Sequence, residues 1–432
     1  MKVIDQLCSV ILGAFAVLTA YKTAYVVFGF LLRAKRYPAA AQRKHYGVLI
    51  AARNESAVIG NLLDSIRAQT YPADQVTVFV VADNCTDDTA AICRSKGAVV
   101  YERFDPAHAR KGYAMQFLVD RLRSSGEFSS CDGFFVFDAD NLLAPDFIER
   151  MNEAFEAGSR VVTSYRNTKN FGTNAVSAAY GIHFYRNTMA YHRPRSVLGL
   201  GTHLTGTGYL LDAALLADGW PWTNLTEDDE LTCVLAGKGE FVAYCEAAEF
   251  FDEQPIDFRT ALRQRMRWAR GRLVNFFRNG FRVGAGVFRV KTGWRGMLSC
   301  YDLFFHYFPY GVFNWLLGLI YPAAHFISGL LHPGVNDYRA LGWNLLTLFG
   351  SKYAAALVTG ALTVIREHRH LHCRPVKAAL YALAYPWFPM ISVYIYFAAL
   401  FVNVRWTPIA HVDRSTIGDL TAPETAQSEK RR

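Results

Sequence analysis

The feature that most constrains this chain is a set of long apolar tracts, residues 7–32, 298–331, 341–365 and 378–402. A helix needs about 20 largely apolar residues to cross a bilayer core, where no water satisfies open backbone groups. Apolar residues fill 52% of the 432 positions, an excess that either several soluble layers or membrane spans must absorb; composition alone does not choose between them, and the tracts do. The first tract is interrupted only by Lys22 and is followed by Arg33, Lys35, Arg36, Arg43 and Lys44. It outruns the about 7–15 residues of a signal-peptide core, and it ends in arginine and lysine, not in a small-residue cleavage site. Residues 1–33 therefore read as a retained transmembrane anchor, with the basic flank in the cytoplasm and the N-terminus outside. Lys22 either snorkels or faces a polar seam.

The later tracts place C-terminal transmembrane helices within residues 297–403. The first of them is long enough to hold an extra interfacial or re-entrant piece. Between the last two lie Arg366, Glu367, His368, Arg369, His370, His372 and Arg374. These histidines could bind a metal, but the positive-inside pattern already calls for a solvated basic cytoplasmic loop there. One helix per tract keeps that loop inside and puts the polar tail, residues 404–432, outside. The expected product is a multi-pass integral protein of the plasma membrane with its middle in the cytoplasm. The net charge of +9 sits beside the membrane segments, without a stacking-plus-basic module, so it implies membrane lipid and not nucleic acid as partner. Eight cysteines occur without a C-x-x-C pair, which supports neither a zinc site nor a disulfide framework.

Residues 45–256 alternate short apolar runs with amphipathic stretches, the pattern of an α/β domain around a mostly parallel sheet. Gly47-Val48-Leu49-Ile50 reads as a buried strand, then a loop runs to Glu55, then a helix spans 56–69. Residues 76–81 form a strand that stops near Asp83, and residues 134–137 one that stops at Asp138-Ala139-Asp140. Ligands of open parallel sheets bind beyond the carboxyl ends of strands, so Arg53, Asn54, Glu55, Asp83, Asp138 and Asp140 can converge on one crevice. Singly, each is also an ordinary turn former or helix cap.

Asp138 and Asp140 flank one small residue after an all-apolar strand, so both carboxylates can point at one hard cation together with phosphate oxygens. A divalent ion there would stabilise a departing nucleoside diphosphate. Further on stands Thr226-Glu227-Asp228-Asp229-Glu230. A solvated helix start capped by Thr226 accounts for Asp229 and Glu230. Asp228 or Glu227 could accept the proton of a hydroxyl attacking an anomeric carbon. A third motif, Gln264-Arg265-Met266-Arg267-Trp268, lies in a segment whose apolar stripe (Leu262, Met266, Ala269, Leu273, Phe276, Phe277) is ringed by arginines. Residues 257–292 thus read as amphipathic interfacial helices. Gln264, Arg267 and Trp268 could turn instead to the crevice, the arginine toward diphosphate and the indole toward a sugar.

In order, Asp83, Asp138-Ala139-Asp140, Thr226-Glu227-Asp228 and the Gln264 to Trp268 motif match the D, DxD, TED and QxxRW series. The chain thereby resembles the membrane-bound family 2 processive glycosyltransferases, the cellulose, hyaluronan, chitin and poly-N-acetylglucosamine synthases, over roughly residues 45 to 280. The resemblance implies a GT-A fold, a hexosyltransferase that inverts the anomeric carbon, a Mg2+ or Mn2+ ion and a nucleotide diphosphate sugar donor, UDP-linked by preference. The acceptor it implies is a growing polysaccharide or lipid-linked glycan, with single addition to a lipid as the alternative. By residue, Asp83 contacts the base, with Ala52, Arg53 and Glu55 beside base and ribose and Lys111 lining the nucleotide site. Asp138 reaches the nucleotide and shares the metal with Asp140. Asp228 is the general base, with Glu227 beside it. Gln264 and Arg267 bind diphosphate, and Trp268 supports the acceptor sugar. The family often has Pro before its first Asn-Glu, where this chain has Ala51-Ala52-Arg53. In Thr205-Gly206-Thr207-Gly208 the glycines either admit an acceptor sugar, with Gly206 and Thr207 against it, or merely make a tight turn. Too few helices and an intact acid set argue against a transporter or a catalytically silent scaffold.

Overall fold

The computed structural model describes residues 2–331, 337–404, 406–409 and 411–421. Its strands are β1 Tyr46–Ala52, β2 Val76–Asp83, β3 Val99–Arg103, β4 Gly133–Asp138, β5 Leu142–Leu143, β6 Val161–Thr168, β7 Tyr209–Asp212 and β8 Ala243–Asp252. They form one mixed sheet in the order β3-β2-β1-β4-β7-β6-β8-β5. The first half is parallel, β1 lying between β2 and β4 with β3 outside β2. Then β7 runs antiparallel between β4 and β6, and β6 pairs in parallel with β8.

Strands buried on both faces read as unbroken apolar runs, and their period of two divides the core. Val48, Ile50, Phe135 and Phe137 enter one cluster, and Leu49, Phe134 and Val136 the other. After the apolar helices α1 (Lys2–Thr19) and α2 (Tyr21–Leu31), helix α3 (Ile59–Arg67) covers the first face with Leu62, Leu63 and Ile66. It starts later than the expected residue 56: residues 56–58 form a turn in which the Val58 and Ile59 N–H groups both donate to Glu55 O, at 3.1 and 3.0 Å, and Ser56 N–H donates to Asp87 at 3.1 Å. Next come α4 (Thr89–Ser95), α5 (Lys111–Ser125), which covers the second face with Met115, Leu118 and Leu122, and α6 (Phe147–Glu156) on the first.

Helices α7 (Ala175–Asn187), α8 (Arg193–Leu198), α9 (Glu227–Lys238), α10 (Phe258–Asn275) and α11 (Phe281–Ala285) complete the catalytic half. The tract 298–331 divides at Pro309 into α12 (Gly293–Tyr307) and α13 (Tyr310–Leu331). The first of these is a docking helix, packing Cys300, Leu303 and Tyr307 against Cys233 and Ala236 of α9. After α14 (Asp337–Arg366), α15 (Pro375–Ala384) and α16 (Trp387–Phe401) are broken apart at Tyr385-Pro386. Among the described residues, Ser9–Leu31, Leu341–Arg366 and Pro375–Phe401 are long and apolar enough to cross a membrane.

Four segments take their places through tertiary contacts. Lys22 faces a polar seam, donating to Phe305 O at 3.0 Å beside Tyr21 and Tyr25, whose hydroxyls donate to Asp302. The stripe of α10 is covered in part by the chain itself, while Phe277 stays exposed. Leu262, Met266, Ala269 and Leu273 pack on Ile391, Ile395 and Ala399 of α16, and Arg265 and Arg270 donate to Phe388 O and Ala399 O at 2.5 and 3.2 Å. The 366–374 loop is docked at two residues, Glu367 buried against Arg193 at 2.8 Å and His370 meeting Glu249 at 2.9 Å, while His368, Arg369 and Arg374 stay exposed as expected. The segment after α16 returns to the catalytic half, where His411 meets Glu55. The described part of the tail, as far as residue 421, thus packs on the catalytic half and does not stand apart from it as one helix per tract implied.

Burial pulls the His370 pKa down, but the hydrogen bond and charge of Glu249 outweigh it and hold it raised. Glu249 is held below its usual value despite burial, mainly by His370. The His370 contribution is complete below the unfolded histidine pKa and is lost as pH rises through its raised folded value. The Glu249 contribution is complete above the unfolded carboxylate pKa and is lost as pH falls through its lowered one. Thermal unfolding in detergent is expected to lose stability on the alkaline side, with that limb flattened in His370→Ala; an identical limb in the variant would remove the pair as its cause.

Candidate active site

Asp83 ends β2 directly opposite Arg103 of β3. Arg103 Nη1 donates to Asp83 Oδ1 at 2.6 Å. Arg53 grips Asp83 from the other side, with Nε on its carbonyl at 2.9 Å and a second nitrogen on its carboxylate. The Trp406 ring lies 4.8 Å from the Arg53 guanidinium carbon. Asn54 and Asn84 take left-handed φ of 57° and 53° at the two strand ends, so these two are turn formers, as short polar side chains allow.

Gly112 opens α5 where a Cβ would stand 2.4 Å from Trp222 O. That close approach brings Lys111 between three parts of the chain. Its ammonium donates to Asp138 Oδ1 and to Gly206 O, the latter at 2.8 Å, and lies 3.8 Å from Glu227. Burial alone would lower the Lys111 pKa, but Asp138 and Glu227 hold it raised. Thr207, expected at the acceptor, is instead buried, accepting from Asp138 N at 2.8 Å and donating to Asn141. It positions the strand end and cannot reach a sugar. Gly206 has φ 90° and lines the cavity, with its would-be Cβ 3.9 Å from Asp228 Oδ2.

Of the first-turn acids of α9, Glu227 and Asp229 are buried, while Asp228 is half-buried and lines the cavity. Burial first, then Asp229 and Glu227, raises the Asp228 pKa well above the carboxylate range. The expected solvated start fails for Asp229, which faces Arg272 at 3.7 Å, and Thr226 makes no side-chain cap. Gly271 explains the crowding: a Cβ there would meet Thr226 Oγ1 at 2.6 Å, so glycine lets α10 lie against this helix end. Arg267 donates to Leu225 O at 3.0 Å. Gln264 lines the cavity, and Trp268 is edge-on to Tyr180 and Phe184 at 5.7 and 6.2 Å.

Ala52, Glu55, Asp140, Gln264, Arg267 and Trp268 thus line one cavity of about 380 Å³ with Asp83, Lys111, Asp138 and Asp228. The sequence reading missed part of its wall. His411 Nδ1 lies 3.0 Å from both Glu55 oxygens, and the N–H groups of Val412 and Asp413 donate to Glu253 at 3.0 Å. Burial pulls the His411 pKa down, but Asp140 and Glu55 push it up to about 10. Asp252 and Glu253 end β8, and the strand-end rule that found Asp83 and Asp138 could have found them too. Asp252 pairs with Arg166, which also donates to Thr205 O at 2.5 Å; burial raises its pKa to about 6 against the pull of Arg166.

The chain is similar to known proteins. A family model described as "Glycosyltransferase like family 2" matches residues 43–271. The chain belongs to that family. It is therefore a glycosyltransferase that uses nucleotide-sugar donors, on a GT-A scaffold. The fold is similar to that of the mannosyltransferase PcManGT from Pyrobaculum calidifontis in complex with GDP-Man and Mn2+, with TM-score 0.55 and 15% identity over 85% of this chain and 99% of that one. Bacillus subtilis "Probable glycosyltransferase YdaM" is 27% identical over 69% of this chain and 70% of its own length. The beta-monoglucosyldiacylglycerol synthase of Synechocystis is 26% identical over 59% of this chain, which spans about half, 52%, of that relative.

A divalent cation fits the donor set of this family member. Among the described residues no three His, Cys, Asp or Glu side chains stand in metal-holding geometry. Asp140 and Asp138, however, offer only hard oxygen donors, and Mg2+ or Mn2+ is commonly held by one or two carboxylates plus substrate phosphates. Asp140 is the better placed, because Lys111 occupies Asp138 Oδ1, while Asp140 Oδ2 is oriented by the Glu253 N–H at 2.8 Å. His411→Ala would leave Glu55 and Asp140 without their nearest cation. It is expected to weaken nucleotide-sugar binding about tenfold, read by calorimetry; unchanged affinity would make the returning segment a bystander.

Proposed function

We propose that the protein catalyses inverting transfer of a sugar from a nucleotide diphosphate sugar, UDP-linked by preference, to an acceptor held by a membrane lipid. The single observation that carries this reading is the continuity of the cavity. It runs from Asp83 and Ala52 at the nucleotide end, past Asp228, to Phe388, Ser392 and Tyr396 on the α15–α16 pair. A donor and a membrane-borne acceptor can thus meet at one carboxylate.

In this reading Ala52, Arg53 and Asp83 hold the base and ribose, while Lys111, Gln264 and Arg267 face the diphosphate. Asp140 with Asp138 holds the divalent ion, which supplies charge neutralisation to the departing diphosphate. Asp228 takes the proton of the acceptor hydroxyl as that oxygen attacks the anomeric carbon from the face opposite the leaving group. Burial, with Asp229 and Glu227 beside the carboxylate, raises the Asp228 pKa, which makes its ionised form a stronger base. Trp268 and Gly206 bound the acceptor side. The name of the Synechocystis relative, a glucolipid synthase, favours a lipid acceptor over a free polysaccharide end.

Asp228→Asn is expected to lower transfer by about 10²–10⁴-fold while nucleotide-sugar binding persists. The assay uses full-length protein in nanodiscs, a panel of UDP- and GDP-sugars, and lipid extraction of the product. Turnover at the wild-type rate in the variant would remove Asp228 as base, and turnover that survives a chelator would remove the metal.

A further inference from the structure

The membrane-side end of the cavity contains charge that the transfer chemistry does not use. Arg186 on α7 and Arg265 on α10 both line it. Arg265 is buried, its Nη2 donating to Phe388 O at 2.5 Å and to Ser392 Oγ at 2.7 Å, with its guanidinium carbon 3.8 Å from the Phe388 ring centre. Arg186 lies 5.7 Å from the Tyr191 ring, and its Nε is buried without a hydrogen-bond partner. Among the described residues neither guanidinium has a carboxylate partner. Arg186 has the Tyr191 and Tyr385 hydroxyls beside it, whereas Arg193 is matched by Glu246 and Glu367, Arg195 by Asp302, and Arg166 by Asp252.

A buried guanidinium without a counter-charge is costly, and its planar fork matches carboxylate and phosphate oxygens. His183 lies in the same chamber, 5.4 Å from Phe388. Burial first, then Arg186, Arg265, Arg272 and Arg166, holds its pKa well below the histidine range, so the ring adds no charge of its own. Tyr385 stacks on Phe388 at 6.2 Å where α15 and α16 break. The outer surface of the same break exposes Leu380, Leu383 and Trp387, which suits lipid contact. The chamber thus joins an unmatched positive end to an apolar approach.

We propose that Arg186 and Arg265 form an anion subsite for the phosphate or carboxylate of an acidic lipid acceptor, placing the headgroup beside Asp228. The proposal rests on the lipid-acceptor reading above and narrows it to acidic lipids.

Full-length protein in phosphatidylcholine nanodiscs is tested for binding of fluorescent phosphatidylglycerol, fluorescent hydroxy fatty acid and fluorescent diacylglycerol, each of which carries a free hydroxyl that can attack the donor, and for sugar transfer to each. An acidic probe is expected to bind at least about tenfold more tightly than diacylglycerol, and the preference between phosphate and carboxylate names the source of the anion. Arg186→Gln and Arg265→Gln are each expected to weaken acidic-probe binding about tenfold, with Arg186→Lys recovering part of the loss. The thermal unfolding midpoint of each variant separates this from misfolding. Equal affinity for acidic and neutral probes, or folded Gln variants that bind like the wild type, would overturn the subsite. Sugar transfer to diacylglycerol without acidic preference would overturn it while upholding lipid glycosylation. Acidic-lipid binding without transfer to any lipid would uphold the subsite and sink the acceptor reading.

Discussion

The site depends on one ammonium group held among carboxylates. Asp138, Glu227 and Asp228 come from the end of β4 and the first turn of α9, and left alone they would repel one another in a partly desolvated cleft. Lys111 stands between Asp138 and Glu227 and also binds Gly206 O. One side chain therefore ties the end of β4, the first turn of α9 and the turn at Gly206. The same logic repeats around the cleft, where Arg53 and Arg103 bracket Asp83, Arg166 matches Asp252, and His411 meets Glu55. Each cation permits another acid to be packed within reach of the substrate.

A second set of buried charges joins the catalytic domain to its membrane helices. Arg195 reaches Asp302 of α12 at 2.6 Å, and that carboxylate also accepts from Tyr21 and Tyr25 of α2. Arg193 reaches Glu367 after α14 and donates to Gly29 O of α2. Breaking one partner of such a pair costs about 3–5 kcal/mol, because the other is left buried and unmatched. The short helix α8 thus holds α2, α12 and the end of α14 in place, and the cleft keeps a constant relation to the α15–α16 pair that closes its membrane end.

Much of this was legible in the chain. The all-apolar runs 47–50 and 134–137 announced central strands, because strands covered on both faces need no polar alternation, and acids just beyond them announced the crevice. Asp83, Lys111, Asp138, Asp140, Asp228, Gln264, Arg267 and Trp268 do line one cavity. Thr207 did not, since a hydroxyl next to two glycines looks the same whether it meets a sugar or braces Asp138. The helix contacts were illegible for a similar reason. Gly29, whose Cβ would stand 1.5 Å from Met189 O, and Gly271 against Thr226 carry no sign of what approaches them.

By itself, then, the sequence determined the α/β sheet, the apolar helices and the order of the acidic motifs, because periodicity, hydropathy and strand-end chemistry are local properties. Only the tertiary structure decided that α10 packs on α16, that the segment after residue 403 returns with His411 to Glu55, and that Arg186 and Arg265 are left without carboxylates. These facts depend on which surfaces meet across more than a hundred residues of chain. No local pattern encodes such meetings, because one arginine reads alike whether it faces a phosphate, a carbonyl or water.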